Sequence, residues 1–109
     1  MEKITDMMVK TIQEKERDVK KLNELVDQCT AMEIKERNKR AKIMNDLSES
    51  GVKMTEKVKV AKCDELLKSE MGQIAHLKKD IGKLKRAIDL HNDKLSLCRN
   101  MLRELELLG

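Results

Sequence analysis

Cys29, Cys63, Cys98, His76 and His91 are the side chains of this chain best suited to metal binding or nucleophilic attack. A metal held on a helix needs His, Cys, Asp or Glu three or four residues apart, so that the ligands share one face. Cys63, Cys98 and His91 have no such neighbour; Cys29 has only Glu33, and His76 has only Asp80. No pair shows the two-residue thiolate spacing of a structural zinc site. A nucleophile also needs a base and an oxyanion site enclosed with it, and no suitable Ser or Cys lies beside a His. The four glycines are scattered and form no phosphate-binding loop. The expectation is therefore no metal, no cofactor and no enzymatic activity.

Phosphate binding is the other chemistry to weigh. Lys35, Arg37, Lys39, Arg40 and Lys42 form one basic cluster; Lys78, Lys79, Lys83, Lys85 and Arg86 form a second. Either suits contact with nucleic acid or an anionic membrane. But the chain has no aromatic residue to stack on bases, acids interrupt both clusters, and the net charge is only +4. Solvated helical faces are the favoured reading of both.

The elements that carry these side chains follow from composition and period. There is no Phe, Tyr, Trp or Pro among 109 residues, and 40% are charged, against about a quarter in ordinary domains. Without aromatic bulk a compact globular core is not expected. No run of eighteen apolar residues suits a membrane span, and no charged start followed by an apolar run marks a secretory signal. Three cysteines cannot all pair within the chain, which favours a reducing compartment, cytoplasmic or nuclear.

Heptads are clearest in the second half. Val60, Leu67, Ile74, Ile81, Ile88, Leu95 and Leu102 occupy position a. Position d holds Cys63, Glu70, Leu77, Leu84, His91, Cys98 and Leu105. Sustained a/d spacing of this kind predicts a coiled coil. In the first half Ile12, Val19 and Val26 are assigned to a, and Met1, Met8, Leu22 and Cys29 to d, with Lys15 interrupting. All three cysteines thus fall at d, as small hydrophobes or as an interchain disulfide of an oxidised parallel assembly. His91 at d reads as a pH-sensitive core residue or as one reaching water at the seam's edge.

The two registers differ by one residue, which places a break near Ser48-Glu49-Ser50-Gly51. Gly51 suits the left-handed end of a helix, Leu47 and Val52 suit the flanks of its cap, and Thr55 suits the cap of the next helix. The predicted architecture is all-α: a single coiled-coil domain over 1–109, with helix one about 2–50, a turn about 51–54 and helix two about 55–108. Folded back at 51–52 as an antiparallel coiled-coil hairpin, it pairs Val19 with Leu84, Leu22 with Ile81 and Val26 with Leu77. It also sets His91 opposite Ile12, Arg40 opposite Cys63 and Glu33 opposite Glu70. The alternative is a continuous parallel coiled-coil rod, which the Ile-at-a, Leu-at-d run from Ile74 to Leu84 would suit. That rod sets Lys15, Glu33, Glu36, Arg40 and Glu70 each against its own copy, which disfavours it.

The seam residues expected are Ile12, Val19, Leu22, Val26, Ile74, Leu77, Ile81, Leu84 and Ile88. At the chain ends the apolar band is broader than one stripe. Met1, Ile4, Met7 and Met8 together with Leu95, Leu97, Met101, Leu102, Leu105 and Leu108 are the expected partner-binding residues. The function this predicts is a coiled-coil protein–protein interaction module: an oligomerisation, tethering or scaffold segment of an intracellular complex. Its partners would be other helical proteins or itself, as a dimer or higher oligomer. The alternative is a nucleic-acid or anionic-surface binder using the basic faces.

Overall fold

The computed structural model describes residues 2–108. Among these residues the chain is all-α and has no strand. Helix α1 spans Glu2–Glu49, α2 spans Glu56–Leu66 and α3 spans Lys68–Leu108. α1 and α3 pack against each other in opposite directions, joined by contacts such as Asp18 to His91 and Lys39 to Glu70. The chain is a helical hairpin and not a continuous rod. No glycine or proline interrupts residues 2–49, which lets α1 run unbroken through 48 residues.

The turn forms where the sequence places it, but by its own chemistry. Gly51 has φ +77°, a region open to glycine at little cost. The Ser50 hydroxyl donates to the Leu47 carbonyl at 2.7 Å and accepts from the Val52 N–H at 3.4 Å. A side-chain hydroxyl therefore links the two backbone groups that a Schellman cap would join directly. Thr55 caps α2, its Oγ1 accepting from the Val58 N–H at 3.3 Å. The second arm is not one uninterrupted helix. Leu67, at φ −103° and ψ 15°, separates α2 from α3. The Leu67 N–H still donates to the Cys63 carbonyl, and the Met71 N–H to the Leu67 carbonyl, each at 2.9 Å. The distortion thus leaves the helical hydrogen bonds on both sides of Leu67 in place.

Two compact units make up the hairpin. Val26–Lys79 carries the turn; Met1–Leu25 with Asp80–Gly109 carries the chain ends. The turn unit buries Cys29, Cys63, Leu67 and Ile74, with Met32, Ile43, Leu47 and Leu77 half-buried around them. The terminal unit buries Thr11, Leu95 and Cys98, with Ile4, Met8, Leu22, Leu25, Ile81, Leu84 and Ile88 half-buried. Each fully buried aliphatic side chain contributes roughly 1.5–3 kcal/mol.

The second arm turns much of its expected face inward: Leu67, Ile74, Leu95, Cys63 and Cys98 are buried, whereas Val60 and Leu105 near its ends are exposed. The first arm departs from expectation. The row of Met8, Lys15, Leu22 and Cys29 does turn inward, but its companion is Ile4, Thr11, Asp18, Leu25 and Met32. Two expected seam residues, Ile12 and Val26, are 39% and 38% exposed, and Val19 is half-buried. The row that includes Thr11 and Asp18 brings Leu25 and Met32 inward, whereas the Ile12 row continues to Glu33 and Arg40, which are half-buried in ion pairs. The two polar members of the Thr11 row are satisfied. The Thr11 hydroxyl donates to the Met7 carbonyl at 2.7 Å, and Asp18 meets His91 at 2.8 Å.

The pairing shifts accordingly. His91 faces Asp18 and not Ile12. Glu33 contacts Lys78, and Glu70 contacts Lys39, so the expected Glu33–Glu70 clash does not arise. Arg40 contacts Asp64 and Met71 in place of Cys63. In each case the partner lies further along the second arm than a fold at 51–52 requires. The whole segment from Ser50 to Thr55 separates the helices, which moves the centre of the fold later.

Candidate functional site

Within the terminal unit, the roll of α1 has a chemical consequence. Thr11 is 1% exposed, and the Asp18 side chain 16%, while Val9 is 50% and Ile12 39% exposed. Two polar side chains are therefore held inside and two apolar ones outside. Asp18 and His91 hold this orientation with the 2.8 Å contact between Oδ2 and Nε2, both side chains largely covered. On the other side of the same seam, the Cys98 thiol donates to the Met7 sulfur at 3.6 Å.

The outward row forms one wall of a groove of about 480 Å³ between α1 and α3. Ile12 and Val19 from α1 and Leu95 from α3 give its apolar surface. Lys15, Lys20 and Arg99 border it, with Glu16 and Asn23. Lys15 is half-buried in the inward row and also lines the groove. From Ile12 to Asn23 the groove follows about three turns of α1, roughly 17 Å at 1.5 Å per residue. Its form is that of a trough alongside two helices.

Within the described region the predicted partner-binding residues divide into three groups. Met7, Leu97, Met101, Leu105 and Leu108 are exposed, from 38% at Leu105 to 84% at Leu108. Ile4, Met8 and Leu102 are half-buried. Leu95 is 4% exposed; most of it packs inside the hairpin, and the rest lines the groove. Met1 lies outside the described residues. Glu16, Lys20, Asn23 and Arg99 are groove residues that sequence reasoning missed, because their grouping depends on the roll of α1 and the pairing of the arms.

The turn unit shows what becomes of the basic clusters. Arg40 donates from Nε to Glu36 and lies against Asp64 through Nη1, both at 2.8 Å. These two carboxylates, Glu36 first, push its guanidinium further toward the charged form. Lys39 meets Glu70 at 3.2 Å, and Lys78 meets Glu33 at 3.8 Å. Glu70 is held below the usual carboxylate range, first by a backbone hydrogen bond at its own position and then by Lys39. The Cys29 thiol donates to Glu33 at 3.3 Å and is pushed up by burial and then by that carboxylate. Three of the ten clustered cations, Lys39, Arg40 and Lys78, are thus opposed by acids of the same unit. All three cysteines are free and buried, and no group of three or more His, Cys, Asp or Glu suited to a metal exists among the described residues. No helix there is long and apolar enough to cross a membrane. No family model, curated protein or solved structure matches the chain.

Proposed function

We propose that this chain is a helix-binding module, a hairpin that joins other helical proteins or a further copy of itself into an assembly as a tethering or scaffold segment. The observation that carries this reading is that Val9 and Ile12 lie exposed on α1 and Val19 is only half-covered, while Thr11 is buried and Asp18 is paired with His91 across the seam. An apolar row at helical spacing, left partly uncovered beside a groove, fits the i, i+3, i+7 anchors of another helix. A coiled-coil type of association suits it, with aliphatic contacts giving affinity and charged borders giving selectivity.

The opposing cations and anions of the turn unit support this reading over phosphate binding. The test compares three binding modes on the full chain: self-association by sedimentation across concentration, capture of labelled amphipathic helical peptides, and binding of duplex DNA, single-stranded RNA or anionic vesicles. Helix association that persists at moderate salt supports the module. A chain that stays monomeric, ignores every helical peptide and binds only polyanions, with affinity collapsing as salt rises, contradicts it.

A further inference from the structure

We infer that the groove along Ile12, Val19 and Leu95 receives one helix of a partner protein, and that this helix is acidic along the borders of its apolar stripe. The inference rests on the helix-binding reading and adds the partner's chemistry. Its ground is charge complementarity. Lys15, Lys20 and Arg99 converge on the apolar floor, and only Glu16 opposes them. None of the three cations has an ion pair among the described residues, in contrast to Lys39, Arg40 and Lys78 of the turn unit. A carboxylate-bordered helix would supply the missing counter-charges as it covers Ile12 and Val19. A second copy is the weaker occupant, because the chain carries +4 and would bring further positive charge to a basic rim.

The form of the groove agrees. An open trough along about three helical turns suits an elongated occupant of a dozen residues or so, and its floor accepts aliphatic side chains at i, i+3 or i+4 and i+7. Three exposed ion pairs of ordinary strength amount together to about tenfold in affinity. That is a selectivity term layered on apolar contact.

The experiment uses the full chain and two fluorescein-labelled helical peptides. Both carry the same leucine stripe; one is bordered by glutamates and the other by lysines. Fluorescence anisotropy should show the acidic peptide bound about tenfold more tightly, or better, at low salt. Lys20→Glu combined with Arg99→Glu should abolish that preference. Lys10→Glu combined with Lys94→Glu makes the same change in net charge outside the groove and should leave it largely intact; circular dichroism checks that both variants stay helical. Equal affinity for the two peptides overturns the inference while sparing the helix-binding reading. So does a preference that survives Lys20→Glu with Arg99→Glu. Self-association that is lost on Val19→Glu, with neither peptide bound, assigns the groove to a second copy and likewise overturns it. Failure of the broader reading looks different: no peptide binds and the chain stays monomeric.

Discussion

Removing either member of the Asp18–His91 pair should destabilise the hairpin by more than a surface contact would. The two side chains approach to 2.8 Å, with 16% and 17% of their areas exposed. Asp18→Ala leaves His91 against the seam without its acceptor, and His91→Ala leaves the carboxylate with only the 3.9 Å contact to the exposed Arg17. A polar group stranded in this way costs about 1–3 kcal/mol. Partial access to water favours the lower half of that range. In a urea titration followed by far-ultraviolet circular dichroism, each single variant should lose about 1–2 kcal/mol. The double variant should lose clearly less than the sum, because the second removal no longer strands a partner; a coupling of about 1 kcal/mol is expected. Additive losses, with coupling near zero, would refute the reasoning. They would mean that Asp18 and His91 act as two independently solvated groups and do not fix which face of α1 turns inward.

The remaining predictions concern other parts of the same account. Ile12→Ser should cost little, within about 0.5 kcal/mol as at exposed sites, whereas Leu95→Ala should cost about 2–5 kcal/mol; equal losses in thermal melts would restore Ile12 to the seam. Gly51→Ala should destabilise by roughly 1–2 kcal/mol because its φ is +77°, while Gly72→Ala, where an added Cβ meets nothing within 4 Å, should stabilise by up to about 1 kcal/mol. Glu70 titrates low when folded, so its stabilisation is present above the unfolded carboxylate value of about 4.3 and is lost as pH falls through the folded value. The stability gap between the chain and Glu70→Gln should therefore close in acid; a gap independent of pH contradicts this. Cys29 titrates high, so its contribution is present below the ordinary thiol value of about 8.5 and fades as pH rises past it. Alkylation by iodoacetamide at neutral pH should be slow for the folded chain and fast in urea.

The sequence made the second arm legible because its heptads are nearly unbroken and one register dominates. The hairpin was legible from Gly51 and from the like charges that a parallel rod would stack. The roll of α1 was harder to read. Ile12, Val19 and Val26 look like the better seam over three heptads, and Thr11 and Asp18 look like surface residues. Counting on to Leu25 and Met32 adds two apolar residues to the Thr11 row, and its polar members Thr11 and Asp18 find partners within reach. The partner of Asp18 could not be named without the pairing of the arms, and that pairing depends on the six residues from Ser50 to Thr55 that separate the helices. The groove was hidden for the same reason. Lys20 and Arg99 are ordinary solvated cations in sequence and become neighbours only after α1 has rolled and the arms have aligned.

A nitroxide scan along residues 8–23 of α1, in a background with the native cysteines replaced by alanine, tests the central claim most directly. Oxygen and nickel accessibility by power saturation should fall at 8, 11, 15, 18 and 22 and rise at 9, 12 and 16, with 19 intermediate. On adding the acidic helical peptide, accessibility at 12, 16 and 19 should drop while that at 17 and 21 holds. Minima at 12 and 19 in the free chain, with 11 and 18 open to solvent, would place the apolar row inside the hairpin. They would leave no uncovered stripe to bind a helix.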